Sequence, residues 1–340
     1  CIRDRHRLCQ RNSDSTGDAG NIICTVICNQ HSTVKAVQEN KPIIDEETRK
    51  MSEQEKLQRG KRRTKIILIT VTVLFIVLML VVPLISVITS ALKEGFKFYL
   101  QSITTEYVIS ALGVTLIATV IAVVVNTFFG ICAAWLLTKF SFKGKQVLAT
   151  LIDIPFSISP VIVGLAYLMT FGRLGWTYPA IRWINDMLGT NIRITFAVPG
   201  VVLATIFVTF PFVSRELIPV LNAQGKDEEE AAALMGAKGF TIFRRITLPQ
   251  MKWGLIYGII LCTARALGEF GAVNALSKTR GGTFTLPLEI DALYMSGTEE
   301  SITAAFAVSS ILGIIAVIIL FLRNLLEYRA KRKRAYERSS

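Results

Sequence analysis

Residues 66–89 read IILITVTVLFIVLMLVVPLISVIT, twenty-four positions without a charge. At 1.5 Å per residue such a helix is about 36 Å long, enough to cross a hydrocarbon layer of roughly 30 Å. Five further apolar runs long enough to cross follow at residues 110–137, 147–170, 196–214, 253–276 and 302–322, the second and fourth of these carrying charges. The 340 residues are 51% hydrophobic and only 19% charged, whereas soluble domains carry about 25% charged residues. The expectation is an all-α, polytopic membrane protein with six transmembrane helices. A disulfide-stapled secreted module, a soluble dinucleotide-binding enzyme and a nucleic-acid domain are excluded.

The net charge of +13 is informative only by location. Lys56, Arg59, Lys61, Arg62, Arg63 and Lys65 precede the first run, and Arg323, Arg329, Lys331, Arg332, Lys333, Arg334 and Arg338 follow the last. With Lys139, Lys143, Lys145 and the six basic residues from 215 to 252, one side collects 22 basic residues and the three opposite loops 7. The positive-inside bias then puts both termini in the cytoplasm of a plasma-membrane protein. No signal peptide is read, because the first run is too long and lacks a small-residue cleavage site.

Residues 1–50 differ in kind, with no Met, Phe, Trp or Tyr but with Cys1, Cys9, Cys24, Cys28, His6 and His31. Their spacing does not give the paired short gaps of a zinc site. Residues 1–50 are therefore expected to be a non-native or disordered leader and Met51 the natural start, with residues 51–65 a basic cytoplasmic flank and residues 328–340 a basic cytoplasmic tail. Cys132 and Cys262 fall within apolar runs, where a free cysteine acts as a small hydrophobe.

The loop at 217–252 carries an ordered pattern. Asp227 is placed to cap a helix, with Glu230 three residues on as a capping-box partner and acidic residues at the positive end of the dipole. Ala231, Ala232, Ala233, Leu234 and Met235 continue the helix and Gly236 stops it. A second short helix, residues 241–246, is expected to end before Pro249.

Glu230-Ala231-Ala232, three residues, Gly236, nine residues, Ile246, one residue, Leu248-Pro249 resembles the E-A-A-x3-G-x9-I-x-L-P signature of ABC importer permeases. Seven positions are fixed over twenty residues. The resemblance implies a type-1 ABC importer permease fold over residues 66–327, in which Glu230, Ala231, Ala232, Gly236, Ile246, Leu248 and Pro249 form the coupling segment that docks on a separate ATPase. Consistently, no phosphate-binding loop occurs: Gly60-Lys61, Gly144-Lys145 and Gly225-Lys226 each fail at the following residue. No HExxH motif or nucleophile elbow is found, so no covalent catalysis, catalytic residue, cofactor or metal is expected.

Charges at membrane depth cost ~2.5–3.5 kcal/mol on insertion scales and mark a path or a partner. Arg265 and Glu269 are four apart and share a helical face, so they can pair. Two readings stay open: mutual neutralisation, or a guanidinium lining a route for an oxyanion. Asp153 is followed by Pro155, Ser157, Ser159 and Pro160, and two prolines five apart break a helix as solute sites do. Asp153 can also pair with Arg265, as a gate or clasp. These five, Arg265, Glu269, Asp153, Ser157 and Ser159, are the candidates for the translocation path. Asn126 reads as an interhelical hydrogen bond.

The segments at 151–165, 210–217, 264–273 and 286–290 resemble the W-type permease subunits of sulfate/thiosulfate ABC importers. That resemblance implies a heterodimer with a sister T-type permease, two ATP-binding subunits and an extracytoplasmic sulfate/thiosulfate-binding protein, in contact with membrane lipid and with no nucleic acid. Solute delivered to an outward-open cavity would cross as the coupling segment follows the ATPase cycle. A molybdate or tungstate permease shares this architecture; an ATP-independent secondary anion transporter is the alternative of another class. In the loop at 172–195, Trp176, Tyr178, Trp183 and the amphipathic run 181–188 read as an in-plane interfacial helix, with binding-protein docking the other option.

Overall fold

The computed structural model describes residue 61 and residues 64–191 and 193–337, with side chains as far as Arg329. The leader at 1–50 with its cysteines and histidines, the proposed start at Met51 and the side chains of the basic tail lie outside the described residues. Among the described residues all regular structure is helical. Contacts divide the chain after Val81 into two units, and the packed core belongs to the second.

In chain order the elements are α1 (Thr64–Ala91), α2 (Phe96–Ile103), α3 (Glu106–Lys139), α4 (Lys145–Ser157), α5 (Pro160–Phe171), α6 (Tyr178–Leu188), α7 (Val198–Thr209), α8 (Pro211–Gln224), α9 (Asp227–Leu234), α10 (Gly239–Ile242), α11 (Leu248–Leu267), α12 (Gly271–Leu276), α13 (Leu286–Met295) and α14 (Glu299–Glu337). Four stretches are long and apolar enough to cross a membrane: α1, α3, the joined pair α7–α8 (Val198–Gln224) and Glu299–Arg329 of α14.

The two other expected spans are not straight helices. The third is the pair α4 and α5, bent by 103°. Pro160 causes the break: the residue before a proline is pushed out of the helical region, and Ser159 sits at φ −60°, ψ 133°. The fifth ends at Leu267 and restarts as α12 at Gly271.

Within the bilayer helices gain little from hydrophobic transfer against one another, so small residues that allow close approach decide the packing. Helix α3 presents such a stripe at helical spacing, with Ala111, Thr115, Ala118, Ala122, Asn126, Gly130 and Ala134 all buried. Helix α8 lies against it on one side and against α11 on the other. A Cβ at Gly130 would sit 2.8 Å from Val213 Cβ, and one at Gly258 3.2 Å from Val213 Cα. Ala134, Val213, Leu217, Leu221, Met251 and Cys262 close the core between the three helices.

Asn126 acts as expected, as an interhelical bridge. Its Nδ2 donates to Thr209 Oγ1 at 2.8 Å and to Ile206 O at 3.1 Å. That carbonyl is free because Phe210 N turns to Phe207 O as the helix tightens before Pro211. At the other end of the bundle Arg280 clamps the wholly buried Glu289 through Nε (2.9 and 3.1 Å) and Nη2 (2.5 Å) and lies 4.9 Å from the Tyr107 ring centre.

Gly130→Val should overpack the α3–α8 contact at a cost of about 1–3 kcal/mol. Thermal unfolding of the detergent-purified protein is the check: an unchanged midpoint would mean that the two helices do not meet there.

Candidate functional site

Two regions gather the residues singled out by sequence. The first is the loop between α8 and α11. Helix α9 opens with four acidic residues, Asp227 to Glu230, where the dipole favours negative charge. Its N-cap is Lys226 and no side chain caps it, so the expected capping box at Asp227 and Glu230 is not formed. Two of the acidic side chains are drawn to tertiary partners instead.

Glu229 Oε1 lies 3.0 Å from Lys139 Nζ and accepts from Thr247 Oγ1 at 2.7 Å. Lys139 Nζ also donates to Gly225 O at 2.6 Å. Glu228 takes a hydrogen bond from Gln250. Lys139 ends α3, Gly225 ends α8, Glu229 sits on α9, and Thr247 leads into α11. One largely buried node therefore ties four segments together.

At its far end α9 closes as the sequence predicts. Gly236 adopts φ +85°, its N–H bonds Ala233 O at 2.9 Å, and Ala237 N bonds Ala232 O at 3.0 Å. This is the paired closure that a left-handed residue after a helix allows. The second short helix does not end before Pro249. Helix α10 passes through a π-helical turn, Phe243–Thr247, straight into α11. Leu248 N–H bonds Phe243 O across that wider turn, and Pro249, which has no N–H to give to the turn before it, follows directly.

Of the seven signature residues, Ala232 is buried beneath α9, Ile246 and Leu248 are half-buried, and Glu230, Ala231, Gly236 and Pro249 are exposed. Beside them Leu234, Met235 and Phe240 are 90%, 82% and 74% exposed. Large apolar groups that open on a polar loop mark an interaction surface.

The second region lies at the two helix breaks. Gly271, the first residue of α12, faces Pro160, the first residue of α5: a Cβ there would meet Pro160 Cβ at 3.1 Å. One turn along, a Cβ at Gly164 would fall 2.4 Å from Ala272 O, so α5 and α12 pack backbone to backbone.

Arg265 and Glu269 pair as expected, Nη1 to Oε2 at 2.6 Å. Glu269 is buried and past the end of α11, so it does more than neutralise: its Oε1 accepts the Ala272 N–H at 2.9 Å, satisfying a donor at the start of α12. Arg265 is one-third exposed, and Ser157 and Ser159 are exposed at the bend.

Asp153 does not pair with Arg265. Its Oδ1 contacts Arg215 Nε at 3.0 Å. Along their helices Asp153 stands eight residues from Lys145, Arg215 nine from Gln224 and Arg265 seventeen from Leu248. These are axial heights of about 12, 14 and 26 Å from the basic end. Asp153 and Arg215 meet between α4 and α8, whereas Arg265 lies near the other end of α11, beside the break at Gly268.

Sequence reading missed two residues, Glu229 and Arg215. For Glu229 the only available signal was a lysine at the end of a distant apolar run. For Arg215 it was a charge directly after the apolar run 196–214.

Comparison with known proteins fits this arrangement. The model of the family "Binding-protein-dependent transport system inner membrane component" matches residues 126–332. The chain is 44% identical over 263 residues to the sulfate transport system permease protein CysW of Escherichia coli (strain K12), spanning 77% of this chain and 87% of that one. It is 41% identical over 274 residues to the protein of the same name from Synechocystis sp., spanning 80% and 96%. It is 31% identical over 264 residues to the permease protein CysT of Salmonella typhimurium, spanning 77% and 92%. Among solved structures, a bacterial alginate ABC transporter in complex with a pentasaccharide-bound periplasmic protein shares the fold, with TM-score 0.65 at 19% identity over 77% of this chain and 93% of that one.

Glu229→Ala leaves Lys139 charged and partly unpaired in a nearly closed site, which costs roughly 3 kcal/mol or more. Tryptic cleavage at Lys226 and Lys238 of the purified protein should accelerate at least several-fold. An unchanged rate would show that the node does not hold the loop.

Proposed function

This chain belongs to the family of binding-protein-dependent transport system inner membrane components, and on that premise we propose that it is the sulfate-translocating permease subunit of an ABC importer, driven by an ATPase carried on other chains. The observation that carries the reading is the loop helix α9 with Leu234, Met235 and Phe240 open beside it. A membrane protein that uses buried charge to hold such a helix in place, yet leaves its apolar side bare, offers a seat to another protein. The E-A-A-x3-G-x9-I-x-L-P spacing names that partner as the ATPase.

The substrate assignment rests on relatives named as sulfate permeases at 40–44% identity. A T-type sister permease completes the pore, two ATPase copies power it, and an extracytoplasmic binding protein delivers the anion. Both termini and α9 face the cytoplasm, as the basic residues require. Residues 66–327 make up the permease domain. The chain itself performs no covalent chemistry.

In this mechanism closure of the ATPase pair displaces α9. Because Glu229 is joined to Lys139 and Thr247, and Lys139 in turn to Gly225 O, the displacement reaches α3, α8 and α11 together. Helix α8 is wedged between the other two at Gly130 and Gly258, so these helices move as a block. The bends at Ser159 and Gly268 are where such a block can turn against α5 and α12. Arg265 offers the anion a guanidinium, with Glu269 fixing its position, and Asp153, Ser157 and Ser159 line the same route.

Radiolabelled sulfate uptake into vesicles holding this chain and its partners, with molybdate as competitor, tests the reading. Uptake should require ATP and the binding protein; uptake without ATP would establish a secondary transporter, and stronger uptake of molybdate would reassign the substrate. Leu234→Arg should abolish ATP-driven uptake and co-purification of the ATPase while the protein stays in the membrane. Retained co-purification would remove α9 from the interface. Arg265→Ala should lose uptake with the complex still assembled, and a wild-type rate would make Arg265 structural.

A further inference from the structure

Arg215 belongs to no part of the mechanism above, and the geometry of its pair with Asp153 differs from that of the pairs made by Arg265 and Arg280. We propose that Arg215 is a second anion-binding station in the cytoplasmic half of the route, with Asp153 as its resting counter-ion, which the passing sulfate displaces. The inference rests on the reading of the chain as an anion permease.

The contrast with Arg280 and Glu289 is instructive. There the carboxylate is wholly buried and gripped by two nitrogens of the fork, which is how a permanent clamp is built. Arg215 meets Asp153 through Nε and a single oxygen, and the two side chains remain 55% and 46% exposed. Pairs that open contribute only about 0–1 kcal/mol, so a dianion with several acceptor oxygens can compete with one carboxylate.

The guanidinium has a second contact besides Asp153. Its carbon lies 4.6 Å from the Phe156 ring centre, and Phe156 leans on Phe212 at 5.0 Å. A ring so placed attracts the cation without using any of its N–H donors, which stay available to an oxyanion.

Location gives the third reason. Asp153 lies six residues into the apolar run 147–170 and Arg215 directly follows the run 196–214, so the pair stands at the cytoplasmic edge of the hydrocarbon layer. Half-exposed charges at that edge avoid the full cost of the bilayer centre and keep contact with water on the cytoplasmic side. The pair is continuous with the bend: Ser157 stands one turn beyond Asp153, then Pro160 abuts Gly271, and Arg265 follows in α11. Two guanidinium groups at different depths thus flank one break.

The test places a reporter thiol on that face, Ser157→Cys, in the reconstituted complex. Its reaction with a membrane-impermeant methanethiosulfonate added from the cytoplasmic side is followed by mass spectrometry of the peptide holding residue 157. Sulfate should slow modification several-fold. Arg215→Gln should abolish that protection while the ATPase still co-purifies, and Asp153→Asn should give protection at several-fold lower sulfate. Should Arg215→Gln fail to assemble, Arg215→Lys keeps the charge without the fork and should need several-fold more sulfate. Protection indifferent to all three substitutions, or a reporter thiol that reacts under no nucleotide condition, would overturn the station. If molybdate protects in place of sulfate and still needs Arg215, the station stands and only the substrate assignment falls.

Discussion

A backbone group freed by a helix break has no water to turn to inside a bilayer, and this constraint orders the membrane part of the molecule. The breaks are not scattered. Pro160 and Gly271 bring two of them into contact, and polar side chains repair the damage: Glu269 accepts the Ala272 N–H, and Asn126 takes the carbonyl that the turn before Pro211 releases. Much of the buried polarity in the spans therefore serves the backbone. What remains half-open, at Arg265, Arg215 and Asp153, is not taken up by the backbone, and it is this polarity that the proposed route uses.

The same rule operates at the loop. Lys139 and Glu229 are costly to bury, and each is satisfied twice, by the other and by Gly225 O or Thr247 Oγ1. Such a node is stiff because opening any contact leaves a charge unpaired. In the proposed mechanism stiffness matters, since a compliant joint would absorb a displacement of α9 before it reached α3, α8 and α11. The close approaches at Gly130 and Gly258 extend that stiffness into the bundle, because atoms already in contact cannot move independently.

Much of this was readable in advance. Apolar run length gave the membrane helices, because a bilayer imposes a minimum length that chance rarely meets. The spacing from Glu230 to Pro249 gave the loop helix, and Gly236 its end, because both depend on local backbone geometry. The Arg265–Glu269 pair followed from a four-residue interval. Pro155 and Pro160 announced a broken third run, although not a bend of 103°. The interrupted fifth run had weaker notice, since Gly268 and Gly271 only permit a break.

Other features were beyond local reading. Asp227 looked like a cap, but the cap position fell on Lys226, and the neighbouring carboxylates went to residues from 18 to 90 positions away. Asp153 looked toward Arg265 and found Arg215, because the pair meets between α4 and α8 and Arg265 lies near the other end of α11, beside the break at Gly268. Sequence by itself determined which segments enter the membrane and which local turns they make, since hydrophobic length and backbone sterics are properties of neighbours in the chain. Only the tertiary structure decided which charges meet, because a long-range ion pair depends on the relative heights of packed helices, and those are set by small residues touching across the bundle.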